Sequence, residues 1–140
     1  MGGCLCGAVR FAFEGTPLWV AHCHCRSCRR NTGAAVATFV GVRRDQFVYT
    51  KGMPIGYASS PGVRRSFCGA CGTPLVYEAA RCAEEIHFNI GAMDGPARFA
   101  PTVHVHVAER LPWLHIADDL PRYAASGRDA APVSSEEMPR

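Results

Sequence analysis

The spacing of the cysteines is the feature that most constrains how this chain can fold. Seven of its eight cysteines fall into three short motifs, C-x-C, C-x-C-x-x-C and C-x-x-C, which begin at Cys4, Cys23 and Cys68. Residues 1–15 show no basic segment followed by an apolar one, so we expect no secretory signal and a cytoplasmic protein. Clustered cysteines in a reducing compartment bind metal more often than they form disulfides. The motifs therefore predict metal sites.

The first and last motifs together offer four thiolates, which is the number that a structural zinc site takes. In a C-x-x-C-G turn, small residues let backbone amides approach the sulfur atoms. In a C-x-C pair, alternate residues of a strand share one face. A shared ion would fasten the first strand to the middle of the chain, whereas the alternative is that these are ordinary free or buried cysteines. The predicted ligands of this structural zinc are Cys4, Cys6, Cys68 and Cys71.

The middle motif offers three thiolates, Cys23, Cys25 and Cys28, and leaves the rest of its metal shell undetermined. The eighth cysteine, Cys82, stands alone beside charged residues and is predicted to be unliganded. Three interpretations of the middle motif stay open. A histidine completes a structural zinc site, the cysteines are redox-active without metal, or the metal keeps an open position, as catalytic zinc does.

Four histidines lie near enough in the pattern to be considered as the missing ligand. His22 and His24 flank Cys23 on a predicted strand, so their side chains leave from its opposite face and are poorly placed. His104 and His106 share one face of the segment VHVHV, and either could reach the site in three dimensions. The alternative for this second pair is a solvated polar strand face.

Hydrophobic alternation predicts an all-β fold. In GAVRFAFEG, Val9, Phe11 and Phe13 point to one side of a strand. Further strands are predicted in TPLWVAHC, AVATFVGV, QFVYT, RRSF, PLVYE, EIHFNI and VHVHV, separated by glycine and proline. We expect eight or nine short strands, with one or two helical turns after Cys25 or over residues 79–84.

Length and composition limit the remaining possibilities. The 140 residues suit one domain, predicted over residues 1–123, and residues 124–140 are small, charged or proline and are predicted to be a flexible C-terminal tail. No apolar run reaches the roughly 20 residues of a membrane span, so no membrane partner is expected. The net charge is only +3, and the arginines form no basic stripe, which argues against nucleic acid as a partner.

Five segments, in order, resemble a known family. GGCLCGAVRF, CHCRSCRRNTGAA, FCGACGTPL, GAMDGPARFAPTVHV and PWLHIADDLPRY are similar to segments of the glutathione-dependent formaldehyde-activating enzymes, the GFA or CENP-V domain family, over Gly2 to about Tyr123. The resemblance implies an Mss4-like fold of small antiparallel sheets pinned by zinc. It also implies two Zn²⁺ ions, a structural one on the four outer cysteines and a more open one on Cys23, Cys25 and Cys28.

The same resemblance implies a reaction. It is that of S-(hydroxymethyl)glutathione synthase, a carbon-sulfur lyase that joins glutathione and formaldehyde, so a small-molecule thiol such as glutathione is the expected partner. Arg26, Arg29 and Arg30 surround the middle motif and could bind the two glutathione carboxylates, although a solvated cationic loop explains them equally well. No catalytic residue is predicted beyond the second zinc site. The alternative function is a non-catalytic, zinc-stabilised protein-interaction module with no open metal position.

Overall fold

The computed structural model describes residues 1–127 and 131–133, and this part of the chain is mostly β-structure. It contains one α-helix, α1 (Arg26–Thr32), and ten strands. The strands are β1 (Gly2–Gly3), β2 (Arg10–Phe13), β3 (Trp19–Cys23), β4 (Ala37–Arg43), β5 (Phe47–Lys51), β6 (Ile55–Ser60), β7 (Val63–Phe67), β8 (Pro74–Ala79), β9 (Glu85–Asn89) and β10 (Val103–Val105). Short 3-10 helices cover Arg44–Gln46, Ala80–Cys82, Ile90–Ala92, Pro96–Arg98 and Val107–Glu109. The predicted all-β fold is confirmed.

The chain forms two compact units. The first consists of Met1–Trp19 and Phe39–Ala100, and the second consists of Val20–Thr38 and the described residues from Pro101 onward. In the first unit, β1, β2 and β5 form an antiparallel sheet, and β4, β9, β8, β7 and β6 follow one another as antiparallel neighbours.

Aromatic side chains form the core of the first unit. The rings of Phe11 and Phe88 stack with centroids 4.3 Å apart, and Phe47 packs against Phe88 at 5.1 Å. Phe11 is 1% exposed and Phe88 is fully buried, as the alternation along β2 predicts for Phe11. Burying a side chain of this size contributes roughly 1.5–3 kcal/mol, so these rings are a main source of the stability of this unit.

Strand β4 shows why alternation matters for packing. Val40 and Val42 are fully buried on one face, and Gly41 between them faces the indole of Trp19. A Cβ added at Gly41 would lie 2.2 Å from Trp19 Cε2, which is far inside van der Waals contact. Only glycine therefore lets the indole lie flat against the strand, and the indole N–H then donates to Glu85 at 3.0 Å.

The second unit is built on a parallel pair of strands followed by the helix. Strands β3 and β10 pair in register, with His104 opposite His22. The helix α1 begins after Cys25, whose sulfur accepts the N–H of Cys28, and it ends at Gly33, whose φ of 66° is a left-handed conformation that glycine adopts freely. The predicted helical turn after Cys25 is confirmed, and Ala80–Cys82 forms a 3-10 turn within the other predicted segment.

The proposed domain boundary at residue 123 stays a prediction. The carbonyl groups of Ala124 and Ala125 accept hydrogen bonds from the backbone of Ala108 and His106, at 3.2 and 2.9 Å. Residues 128–130 and 134–140, which include most of the predicted flexible tail, lie outside the described residues. No helix in the described part of the chain is long and apolar enough to cross a membrane.

Candidate metal centres

The first unit brings the two outer cysteine pairs together. The sulfur atoms of Cys4, Cys6, Cys68 and Cys71 lie within 4.8 Å of one another, with 3.5 Å between Cys4 and Cys6 and 3.8 Å between Cys6 and Cys68. Four sulfurs bound tetrahedrally at 2.3 Å to one zinc ion would be about 3.8 Å apart. None of these cysteines is in a disulfide. The donor set and its spacing therefore fit a closed zinc site.

Two glycine turns direct these sulfur atoms. The N–H of Gly7 donates to the carbonyl of Cys4 at 3.0 Å, and the N–H of Gly72 donates to the carbonyl of Cys68 at 2.8 Å. Both glycines have left-handed φ angles, 73° and 76°, which explains the glycine after each motif. The expectation that the C-x-C pair lies on a strand is wrong, because β1 ends at Gly3 and the pair forms a turn.

Local donors stabilise the thiolate form of two of these ligands, Cys4 and Cys71. The hydroxyl of Thr73 lies 3.2 Å from the sulfur of Cys71, and the backbone N–H of Val9 donates to the sulfur of Cys4 at 3.2 Å. The hydrogen bond from the Thr73 side chain, assisted by its backbone, lowers the pKa of Cys71 to about 5. Zinc binds thiolates and not thiols, so Cys71 is ready to bind metal at neutral pH, whereas the neighbouring sulfurs raise the pKa of Cys6 to about 11.

The second unit brings the middle cysteines together. The sulfur atoms of Cys23, Cys25 and Cys28 lie within 4.8 Å of one another where β3 gives way to α1. Cys23 and Cys28 are buried, and Cys25 is half-buried. Hydrogen bonds from the thiols of Cys23 and Cys28 lower the pKa of Cys25, and the backbone N–H of Cys28 adds to this effect. Cys25 is therefore the member of the cluster that loses its proton most easily.

No histidine, aspartate or glutamate of the described residues joins these three sulfur atoms as a fourth donor. The Nδ1 of His22 is paired with the hydroxyl of Thr38 at 2.8 Å, and the Nδ1 of His106 lies 3.8 Å from a carboxylate oxygen of Glu109. His24 and His104 are hydrogen-bonded to each other. Among the described residues, no histidine is therefore placed to complete the metal shell of Cys23, Cys25 and Cys28.

A buried hydrogen-bond network connects the remaining histidines, and sequence reasoning missed it. The Nε2 of His24 lies 2.9 Å from the Nδ1 of His104, and the Nε2 of His104 lies 2.9 Å from a carboxylate oxygen of Asp118. The guanidinium of Arg122 donates to the same carboxylate at 2.9 Å. Burial lowers the pKa of His24 to about 4, so its ring is neutral at physiological pH. We call this the histidine network.

Cys82 lies close to two other possible metal ligands, and the prediction that it binds no metal stays a prediction. Its sulfur lies 3.9 Å from the Nε2 of His87, which in turn is 2.9 Å from a carboxylate oxygen of Glu85. These three donor atoms lie within 4.8 Å of one another and could hold a metal ion. The hydrogen bond between Glu85 and His87 and the indole N–H of Trp19, which donates to Glu85, account for this arrangement without one.

The three arginines near the middle motif differ in their surroundings. Arg29 donates through Nε to the carbonyl of His24 at 3.1 Å and through Nη2 to the carbonyl of Glu109 at 3.0 Å. Arg29 therefore links helix α1 to His24, just before the helix, and to the end of the 3-10 helix Val107–Glu109. Arg26 and Arg30 are exposed, and the backbone N–H of Arg26 donates to the Glu109 carboxylate at 3.2 Å.

Comparison with known proteins identifies the family. The family model described as glutathione-dependent formaldehyde-activating enzyme matches residues 1–109, which include all three cysteine motifs. A crystal structure of a Rhodobacter sphaeroides protein is similar, with a TM-score of 0.56 and 27% sequence identity, over 67% of this chain and 87% of that one. A search of curated proteins finds no significant match. The all-β, Mss4-like architecture and the match over most of the sequence establish that the chain belongs to the glutathione-dependent formaldehyde-activating enzyme family.

Proposed function

We propose that this protein is a zinc-dependent carbon-sulfur lyase that acts on the adduct of a thiol with an aldehyde. The reference reaction is the joining of glutathione and formaldehyde into S-(hydroxymethyl)glutathione. The observation that supports this proposal is the cluster of Cys23, Cys25 and Cys28, which has three donor atoms and no fourth among the described residues. Catalytic zinc sites have this composition, with three protein ligands and one position for water or substrate.

Both cysteine clusters fit zinc, because they offer only thiolates, which suit this borderline-soft ion. We propose that a structural zinc is held by the four outer cysteines and a second zinc by Cys23, Cys25 and Cys28. When bound there, the second zinc would lower the pKa of a thiol brought to it and so supply thiolate at neutral pH. We also place the protein in the cytoplasm, since these thiols must stay reduced to hold metal.

The residues around the second cluster would position the substrate. The guanidinium groups of Arg26 and Arg30 are exposed and could bind the carboxylates of glutathione, which arginine matches with two parallel hydrogen bonds. Arg29 commits Nε and Nη2 to backbone carbonyls, so its predicted contact with substrate would use Nη1. The half-buried Cys25 is the member of the cluster that solvent and substrate reach.

The purified protein should carry one tightly held zinc and a second that exchanges more readily. Four thiolates from two turns enclose the first, whereas three thiolates hold the second. Elemental analysis after mild chelation should leave one equivalent per chain, and Cys25→Ser should lose the labile equivalent alone. Two equivalents of equal resistance would argue for two closed structural sites and against this proposal.

Glutathione should bind far more tightly than S-methylglutathione, which has the same carboxylates but no ionisable thiol. Arg26→Ala or Arg30→Ala should weaken glutathione binding by up to about fivefold, because an exposed ion pair contributes about 0.2–1 kcal/mol. Neither change should affect 2-mercaptoethanol, which has no carboxylate. Isothermal titration calorimetry measures each affinity, with Arg98→Ala, an exposed arginine of the first unit, as the matched control. An equal loss of affinity for glutathione and for 2-mercaptoethanol would contradict the proposal that these arginines bind the carboxylates.

A further inference from the structure

The first unit contains a further group of metal-binding side chains that the proposed function does not use. Cys82, Glu85 and His87 offer one sulfur, one carboxylate oxygen and one imidazole nitrogen, all within 4.8 Å of one another. Cys82 ends the 3-10 helix Ala80–Cys82, whereas Glu85 and His87 are alternate residues of β9 and share one face of that strand. We call these three side chains the mixed cluster, because each supplies a different donor atom.

The spacing of these donors is close to that of ligands around one tetrahedral ion. With bonds of about 2.3 Å to sulfur and about 2.0 Å to nitrogen and oxygen, the sulfur and nitrogen would be about 3.5 Å apart, and the nitrogen and oxygen about 3.3 Å apart. The observed distances are 3.9 Å from Cys82 Sγ to His87 Nε2 and 2.9 Å from His87 Nε2 to Glu85 Oε2. Small side-chain shifts would therefore place all three donors around one ion.

Contacts outside the mixed cluster hold its donors in place without an ion. The ring of His87 stacks on Tyr77 with centroids 5.4 Å apart and meets the ring of Trp19 edge-on at 4.5 Å. The indole N–H of Trp19 donates to Oε2 of Glu85 at 3.0 Å, and such outer hydrogen bonds orient carboxylates that bind metal. The guanidinium of Arg44 donates to the backbone carbonyl of Glu85 at 3.2 Å. The site is therefore largely formed in advance.

Burial and charge select the kind of ion. Cys82 and His87 are each 8% exposed, and the side chain of Glu85 is 15% exposed. Burying an ion is costly unless its charge is balanced, and one thiolate with one carboxylate balances a divalent cation exactly as two negative charges balance two positive ones. Sulfur and nitrogen donors suit zinc, whereas magnesium and calcium prefer oxygen alone.

We propose that Cys82, Glu85 and His87 form a third zinc site, with water as the fourth ligand. Its occupation replaces the hydrogen bond between Glu85 and His87, and the thiol proton of Cys82 passes to solvent. With only one thiolate, the site binds zinc more weakly than either cysteine cluster and fills only when metal is added. This proposal departs from the expectation that Cys82 is unliganded. It is independent of the thiol chemistry proposed above and would remain if that proposal failed.

The test adds Co²⁺ to the full chain already loaded with zinc. Thiolate clusters favour zinc, so Co²⁺ should occupy the mixed cluster without displacing it. One equivalent should bind and give a sulfur-to-cobalt absorption band in the near ultraviolet with the intensity of a single thiolate. Added Zn²⁺ should instead shift the Nε2 resonance of His87 in long-range ¹H–¹⁵N spectra. No bound cobalt, a band with the intensity of several thiolates, or no shift at His87 would each overturn the proposal.

Variants separate the mixed cluster from the cysteine clusters. Cys82→Ser should abolish the band and weaken Co²⁺ binding at least about tenfold, because a serine hydroxyl stays protonated. Glu85→Gln should weaken it about tenfold, whereas the exposed neighbour Glu84→Gln is the matched control and should change nothing. Cys25→Ser should keep the band, and a band that is lost there but kept in Cys82→Ser would refute the site. If Cys82→Ser does not fold, Glu85→Gln against Glu84→Gln and the shift at His87 decide the question.

Discussion

Replacing Cys68 by serine should unfold the first unit or prevent soluble expression. Cys68 is 1% exposed, and its sulfur is one of four in the closed cluster. A structural zinc contributes roughly 10–16 kcal/mol in small peptides, whereas a domain of this size has roughly 5–15 kcal/mol of net stability. Even if ordering the ligands consumes part of the zinc term, its loss is comparable with the whole stability. Thermal melting followed by circular dichroism, together with zinc content, measures the effect.

Cys25→Ser is the informative comparison for this result. Cys25 is half-buried and belongs to the three-sulfur cluster, so its loss should lower the melting temperature much less. Ser27→Ala, an exposed neighbour on the same helix, should melt like the unmodified protein. Equal damage from Cys68→Ser and Cys25→Ser would show that the division into a structural and a functional cluster is wrong.

The parts of the fold that the sequence predicts are those that local patterns determine. Val9 and Phe11 lie on either side of Arg10 in an alternating segment, and they are only 3% and 1% exposed. The cysteine turns are equally local, because the spacing within each motif and the glycine after it fix where two sulfur atoms point. Such features can be predicted without knowing which strands are neighbours in the sheet.

Two strands escaped prediction for opposite reasons. Strand β1 is two glycines, which have no side chains to alternate, and it exists only because it pairs with β2. Strand β6 has side chains, but the run IGYASS mixes apolar, small and polar residues and is largely exposed, so it shows no buried face. Both are recognised by their hydrogen-bonded neighbours alone, and that information is not local.

The histidine network escaped prediction because it depends on tertiary register. His104 reaches His24 only because β10 runs parallel to β3, and the hydrophobic pattern does not say which strands are neighbours or in which direction. Asp118 lies in a segment with no helix or strand, and in the sequence an aspartate there indicates only a turn. The contact of Cys82 with His87 has a different origin, because it depends on the turn between the 3-10 helix Ala80–Cys82 and β9.

Replacing Cys25 by serine should have the largest effect on the activity of the protein in the proposed reaction. Glutathione and formaldehyde combine without a catalyst, so the quantity to measure is the rate of exchange between free and thiol-bound formaldehyde at equilibrium. The unmodified protein should accelerate this exchange, and Cys25→Ser should reduce the acceleration by about a hundredfold or more. The reason is that a serine hydroxyl stays protonated at neutral pH, and a thiolate is the form that binds metal. Exchange spectroscopy by NMR measures the rate directly.

Two controls make this outcome specific. Ser27→Ala and Cys82→Ser should keep the full acceleration, because neither residue belongs to the three-sulfur cluster. Full activity in Cys25→Ser would place the reaction elsewhere in the chain. No acceleration by the unmodified, zinc-loaded protein would remove the lyase proposal, and the calorimetric comparison of glutathione with S-methylglutathione would then decide what replaces it. Thiol-dependent binding would indicate a zinc-thiol protein with another substrate, whereas its absence would favour the zinc-stabilised interaction module, which needs no open metal position.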